Sequence, residues 1–317
     1  MNKQGLDKSI QSCIKDAGME VYFVMKDNNI FKANIRQKEQ NNLKQIFIAE
    51  LNETIINNPK LIVMNISTAD ERQNIIYEYD MDIPDNLSII NSKIFNENTT
   101  YFSFDENKLS DINAIILLIG DPDNQILIYK QNNPLSIFRK DSGGLSFTKK
   151  RNENLFVEMD NDVLKINSKF DFFKIEDKLF ILNIKTLERF FGFHEVIKTE
   201  AEKGIKEIEK FELIDNIDSL RELLDEVSFA RKLTKISQTS PVLGHVANEE
   251  IIKFASNHPA LKNKLKANKL GTKFTLNTKK AKQLFLKLLN DDYLTSDLTS
   301  KYYDSLAKDS IESELNN

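Results

Sequence analysis

Val163-Leu-Lys-Ile-Asn-Ser-Lys-Phe-Asp-Phe-Phe-Lys-Ile-Glu-Asp-Lys-Leu-Phe-Ile-Leu-Asn183 holds three apolar runs separated by two short polar breaks. Runs of this length, rich in Ile, Leu and Phe, read as strands, and the breaks Asn167-Ser168-Lys169 and Glu176-Asp177-Lys178 suit hairpin turns. A further run at 155–159, closed by Asp160-Asn161-Asp162, extends the pattern, so the stretch predicts a four-stranded antiparallel meander. After Asn183 the apolar positions recur with a helical period instead. Strands followed by helices, rather than alternating with them, indicate the α+β class.

Working outward, residues 112–119 and 125–129 flank Asp121-Pro122-Asp123-Asn124, a turn signal between two strands. Nearer the N-terminus, 19–25 reads as a strand and 37–57 as a helix, with Leu43, Ile46, Phe47, Glu50, Leu51 and Thr54 in a 3.6-residue rhythm. The expected organisation is a mixed α/β region over 1–110, then a domain over 111–317 with a central antiparallel sheet and a C-terminal helical lobe. Helices are expected at 186–193, 195–211 and 279–290. Another should run from the capping box Ser219-Leu220-Arg221-Glu222 to 236, and one from Ser240-Pro241 to 256.

With 40% hydrophobic residues, 21 of them Phe among 317 positions, the chain can bury a core. The single cysteine, Cys13, excludes an intramolecular disulfide and fits a reducing compartment. No signal-peptide pattern is visible, and apolar runs such as 114–119 fall short of the ~20 residues a membrane helix needs. A cytoplasmic location is expected.

Charge is nearly balanced overall, 44 Lys+Arg against 48 Asp+Glu, but it is sorted in one place. Between Lys253 and Lys287 there are ten lysines and no acidic residue. Such a segment creates a local positive field suited to a polyanion. In the helix at 279–290, Ala281, Leu284, Phe285, Leu288 and Leu289 form the apolar stripe, which leaves Lys279, Lys280, Lys282 and Lys287 for the surface. The first three oppose the helix dipole, where stability alone favours acids, so they are the strongest phosphate-binding candidates. Lys262, Lys264, Lys266, Lys269 and Lys273 precede them in a short helix or loop leading to a strand at 273–276. The only aromatics here, Phe254, Phe274 and Phe285, read as core, so base stacking is not indicated and a reader of the duplex backbone is.

Signals for catalysis are weaker. His194, His245 and His258 lack metal-site spacing, and no cofactor or metal is expected. Ser142-Gly143-Gly144 lacks the Gly-Lys-Ser/Thr ending of a nucleotide-binding loop and reads as a turn. Asp162 or Asp171 followed by Glu176-Asp177-Lys178 imitates the carboxylate and lysine set of Mg²⁺-dependent nucleases, yet that chemistry needs Glu and Lys in a strand rather than a turn. Asp291-Asp292 is an acid pair at a helix C-terminus, too small to be a metal site by itself.

The segments Val163–Ile175, Leu179–Asn183, Leu187-Glu-Arg-Phe-Phe-Gly-Phe193, Ser240-Pro241-Val242 and the tail Phe285-Leu-Lys-Leu-Leu-Asn-Asp-Asp-Tyr-Leu-Thr-Ser-Asp-Leu-Thr-Ser-Lys-Tyr-Tyr303 resemble the soluble B component (KwaB) family of the Kiwa anti-phage system. The likeness spans roughly residues 110–305. It implies a cytosolic protein that binds DNA and works with a small multi-span membrane partner, through which it would lie at the inner membrane. A homodimer or larger assembly is expected. In the tail, Tyr293, Leu294 and Leu298 should pack on the core and hold the basic helix, with Leu286 left as a partner contact. The resulting expectation is sequence-nonspecific binding of duplex DNA in phage defence. The alternatives are a Mg²⁺-dependent nuclease, or a scaffold docking on a protein or an anionic membrane.

Overall fold

The structure, a computed structural model, describes residues 1–15, 17–69, 73–90, 99–121, 123–133, 136–138, 147–149, 155–296, 298–299 and 301–304. Helix α1 (Lys3–Ile14) starts at Asn2, whose side chain accepts a hydrogen bond from the Gly5 N–H at 2.8 Å. The antiparallel pair β1 (Met19–Met25) and β2 (Ile30–Lys32) follows, then α2 (Gln37–Leu51), which continues through a π-helical turn at Asn52–Ile56. Next come β3 (Ile62–Asn65), β4 (Ile75–Glu78), β5 (Ile112–Asp121) and β6 (Asn124–Gln131). β5 and β6 flank the turn expected at 121–124, of which Pro122 lies outside the described residues, and their antiparallel register runs from Asp121↔Asn124 to Ala114↔Gln131.

The short strands β7 (Ile137–Phe138), β8 (Phe147–Lys149), β9 (Phe156–Glu158) and β10 (Val163–Leu164) lead into β11 (Phe172–Ile175) and β12 (Lys178–Ile181). Eight strands form one sheet in the order β2-β1-β5-β6-β11-β12-β4-β3. The expected four-stranded meander is therefore only half present. β11 and β12 pair as read, but β9 pairs with β8 and β10 with β7 in separate ribbons. A strand has two edges, and on β11 the second is taken by β6 through Ile126–Tyr129, which is more apolar than the 163–166 run. β12 gives its other edge to β4, so the sheet draws strands from both sides of residue 110. The chain is α+β.

Contacts divide the chain into two compact units, Met1–Val63 with Asn74–Tyr79 and Asp85–Phe191, and Met64–Gln73 with Asp80–Pro84 and Gly192–Asn317. In the first, one face of the sheet meets Leu6, Ile10 and Cys13 of α1 and Phe47 and Leu51 of α2, with Ile115, Leu117, Ile126, Ile128 and Phe173 facing them. The opposite face is also covered. Tyr129 stacks on Phe172 with ring centroids 4.4 Å apart, and Phe191, which follows α3 (Ile184–Phe190), meets both rings edge-on. Both faces being apolar explains why β5 reads as a continuous hydrophobic run.

The polar break 167–169 ties this unit together. Lys169 and Ser168 reach Glu50 of α2 at 2.8 and 2.6 Å, and the buried Lys130 of β6 donates to Asn167 Oδ1 and to the Lys169 carbonyl, each at 2.7 Å. Burial pushes the Glu50 carboxyl up, but hydrogen bonds from Lys169, Ser168 and Thr54 outweigh it and hold its pKa below the usual range. Burial depresses the Lys130 ammonium, opposed by Asp171 and Glu50.

The second unit contains α4 (Phe193–Glu209), α5 (Val227–Thr239) and α6 (Asn248–Asn257). Next in the chain are the hairpin β13 (Lys266–Ala267) with β14 (Phe274–Thr275), α7 (Lys279–Leu289), and the ribbon β15 (Tyr293–Thr295) with β16 (Tyr302–Asp304). Two helix starts differ from expectation. The 219–222 capping box opens no helix, because Ile217–Leu223 is a 3-10 segment and α5 begins at Val227. Ser240 caps a turn, its hydroxyl accepting from the Val242 and Leu243 N–H groups while donating to the Leu289 carbonyl at the end of α7.

Candidate nucleic-acid interface

The basic segment is built on alternating anchors and cations. Leu261, Leu265, Phe274, Leu276 and Phe285 are buried, while Lys262, Lys264, Lys266, Lys269 and Lys280 between them are exposed. After α6, the Leu261 and Lys262 N–H groups bond back to the His258 carbonyl, forming the turn that presents Lys262 and Lys264. Asn268 organises the hairpin: its Oδ1 accepts from the Thr272 N–H at 3.0 Å, and its Nδ2 donates to Asp215 Oδ1 at 3.0 Å. Asp215 Oδ2 accepts from the Thr275 hydroxyl at 3.0 Å. Backbone bonds from Phe274 to Leu213 and from Asp215 to Phe274 fix the hairpin to the 213–215 segment. Phe274 and Phe285 meet edge-on at 5.8 Å, which sets the start of α7 beside the hairpin.

These elements border an open cleft of about 730 Å³, called the cavity below. Lys264, the hairpin's Lys266 and Lys269, and Thr278, Lys280 and Ala281 at the α7 start all line it. Thr278 is the N-cap, its hydroxyl accepting from the Ala281 N–H at 3.1 Å. Among the described residues no carboxylate forms an ion pair with Lys262, Lys264, Lys266, Lys269 or Lys280. Lys264 donates to the Ala260 carbonyl at 3.2 Å, and such a contact leaves the charge unneutralised.

The remaining sequence candidates stand differently. Lys282 is a correction: expected on the surface, it is 3% exposed and pairs with Glu222. Lys279 pairs with Glu226 at 2.6 Å and Lys273 with Glu212 at 3.4 Å, though both keep some exposure. The segment is free of acids in sequence but not in space, because Glu212, just after α4, and Glu222 and Glu226 supply them. Leu286 is fully buried rather than a partner contact, and Leu298 is 94% exposed rather than packed, whereas Tyr293 is buried as expected. Phe274 and Phe285 are core; Phe254 is 39% exposed and stacks on His258.

The nuclease set is not assembled. Asp171 precedes β11 and Glu176 follows it, so a four-residue strand, at roughly 3.3 Å per residue, separates them. Asp171 accepts from the Gln131 N–H, Asn183 and Thr186; Glu176 occupies a left-handed turn at φ 53°, and Lys178 pairs with Glu78. Among the described residues no group of three or more His, Cys, Asp or Glu is placed to hold a metal, Asp291 and Asp292 included. The 142–144 turn lies outside the described residues. No helix among the described residues is long and apolar enough to cross a membrane.

Sequence reasoning missed the polar lining: Asp215, Asn263, Asn268 and Asn277. Asp215 lies far from the lysines in sequence and carried no local signal. Asn263 at φ 66° holds a backbone conformation Asn tolerates better than most residues.

The sequence profile described as Kiwa protein KwaB-like matches residues 109–299. A relative from Escherichia coli O55:H7 (strain RM12579 / EPEC), named Kiwa protein KwaB, is 32% identical over 315 residues, covering 98% of this chain and 100% of that protein. No solved structure matches the chain. With a family profile over more than half the chain and a relative alignable along nearly all of it, this protein belongs to the KwaB-like family of Kiwa proteins.

Proposed function

We propose that this member of the Kiwa family contributes to anti-phage defence by binding DNA through its phosphates, without reading sequence. Family membership supports the defence role. The observation that carries DNA binding is the convergence of Lys264, Lys266, Lys269 and Lys280 on one cavity with no carboxylate paired to them. Unpaired ammonium groups gain by displacing the counterions condensed on a duplex, which makes binding strongly salt-dependent. Lys262 and the half-free Lys279 and Lys273 extend the field. Lys282 has no part in phosphate contact, since its charge is buried against Glu222.

On this reading the protein acts as a homo-oligomer in the cytoplasm, held near the membrane by a membrane-spanning partner of the same system. The test is electrophoretic mobility of linear duplex with the triple variant Lys266→Ala, Lys269→Ala, Lys280→Ala. Loss of the shift supports the reading, and an unchanged shift in a folded variant removes it. Co-sedimentation with vesicles containing phosphatidylserine, run in parallel, separates DNA binding from docking on an anionic membrane.

A further inference from the structure

We infer that the lysine-lined cavity is a pocket for a nucleoside 5′-phosphate, presented either by the end of a DNA strand or by a free nucleotide. The inference rests on the phosphate-binding reading of the same lysines and makes it more specific. A continuous duplex backbone needs only projecting cations, because its phosphates lie on the outside of the helix. This site is instead concave. Its volume of about 730 Å³ falls within the roughly 300–1,000 Å³ of small-ligand pockets.

Its lining is also chemically divided. Lys264, Lys266, Lys269 and Lys280 supply positive charge, whereas Asp215 adds a carboxylate that would repel a phosphate. Asp215 is held by Asn268 and Thr275, which line the same cavity, with one bond to each oxygen. A carboxylate offers about four acceptor positions, so both oxygens can still accept from a ligand. The groups that satisfy it are a base amino or imino N–H, or a sugar hydroxyl. Asn277, exposed on the same cavity, brings an amide that can donate and accept at a base edge. Phosphate at the lysines with sugar or base at Asp215 and Asn277 would engage both kinds of lining group; neither inorganic phosphate nor an uncharged nucleoside does.

The test is calorimetric titration of the full chain with 2′-deoxyadenosine 5′-monophosphate, with inorganic phosphate and deoxyadenosine as separate controls. We expect saturable binding at one site per chain, at least about tenfold tighter than either control, as follows from adding one charge-assisted and one neutral contact set. Asp215→Asn and Asn277→Ala should each weaken the nucleotide about tenfold without weakening inorganic phosphate, which Asp215→Asn should tighten by removing a like charge, and Lys280→Glu should weaken both. Using two polar variants guards against Asp215→Asn merely loosening the hairpin. Competition identifies the source: preferential displacement of 5′-phosphorylated linear duplex over an end-less dumbbell duplex marks a strand end, and equal displacement marks a free nucleotide. Nucleotide binding no tighter than phosphate overturns the inference. If the dumbbell still binds in that case, the DNA reading survives alone; if it does not bind either, both are lost.

Discussion

Lys280 and Lys282 are two residues apart in α7, yet they have opposite roles. Lys280 is exposed on the cavity and unpaired, whereas Lys282 is buried with its charge against Glu222. Glu222 is itself largely exposed, so the cost of Lys282→Glu comes from placing a carboxylate in the buried lysine's position, facing another carboxylate. Lys282→Glu should therefore destabilise the second unit by roughly 3 kcal/mol, and denaturant unfolding will show it as a lowered midpoint. Lys280→Glu should leave that midpoint within about 0.5 kcal/mol while weakening DNA binding, as expected of a surface change. The opposite pattern would reverse the two assignments. Thr278→Ala removes the N-cap of α7 and should cost about 1 kcal/mol, measurable in the same experiment.

At the scale of elements, what could be read from sequence depended on whether the deciding partner was local. The β11–β12 hairpin and α7 were legible because their turn and their period lie within the segment itself. The 155–166 strands were misplaced because β6 competes for the edge of β11, and no local pattern announces a competitor. α1 was missed since only Leu6, Ile10 and Cys13 mark its buried face in twelve residues. For the same reason the lysine segment misled in part: the acids that neutralise Lys273, Lys279 and Lys282 arrive from residues 212, 226 and 222. The hairpin β13–β14 depends on Asn268 as its internal brace, with Gly271 at φ 71° closing the turn. Asn268→Ala leaves Asp215 without its amide donor and should lower DNA affinity about tenfold by disordering Lys266 and Lys269. Measured affinity at fixed salt checks this; wild-type affinity would show that the lysines need no ordered hairpin.

Over the whole molecule, the two units carry different titrating groups. In the second unit burial holds His258 below its ordinary value of 6.5, its ring packed between Phe254, Tyr293 and Tyr302. The unfolded chain then takes up that proton first, so this stabilisation is complete above about pH 6.5 and is lost as pH falls through the folded value. In the first unit Glu50 and Glu78 are held low by their lysine and hydroxyl or amino-terminal partners, against the opposing effect of burial. Their contribution persists to about pH 4.3 and disappears only below it. Hydrogen exchange during acidification should therefore show residues 192–296 losing protection before strands β5, β6, β11 and β12, and simultaneous loss would contradict this order. For function, the decisive experiment is equilibrium binding of a labelled linear duplex across a salt series, for the wild type and the Lys266, Lys269 and Lys280 single alanine variants. If the four cavity lysines each neutralise one phosphate, the wild-type log–log slope should be at least about 3.6 in magnitude, and each substitution should reduce it by about 0.9. A slope near zero, or slopes unchanged in all three variants, would contradict phosphate binding at this cavity.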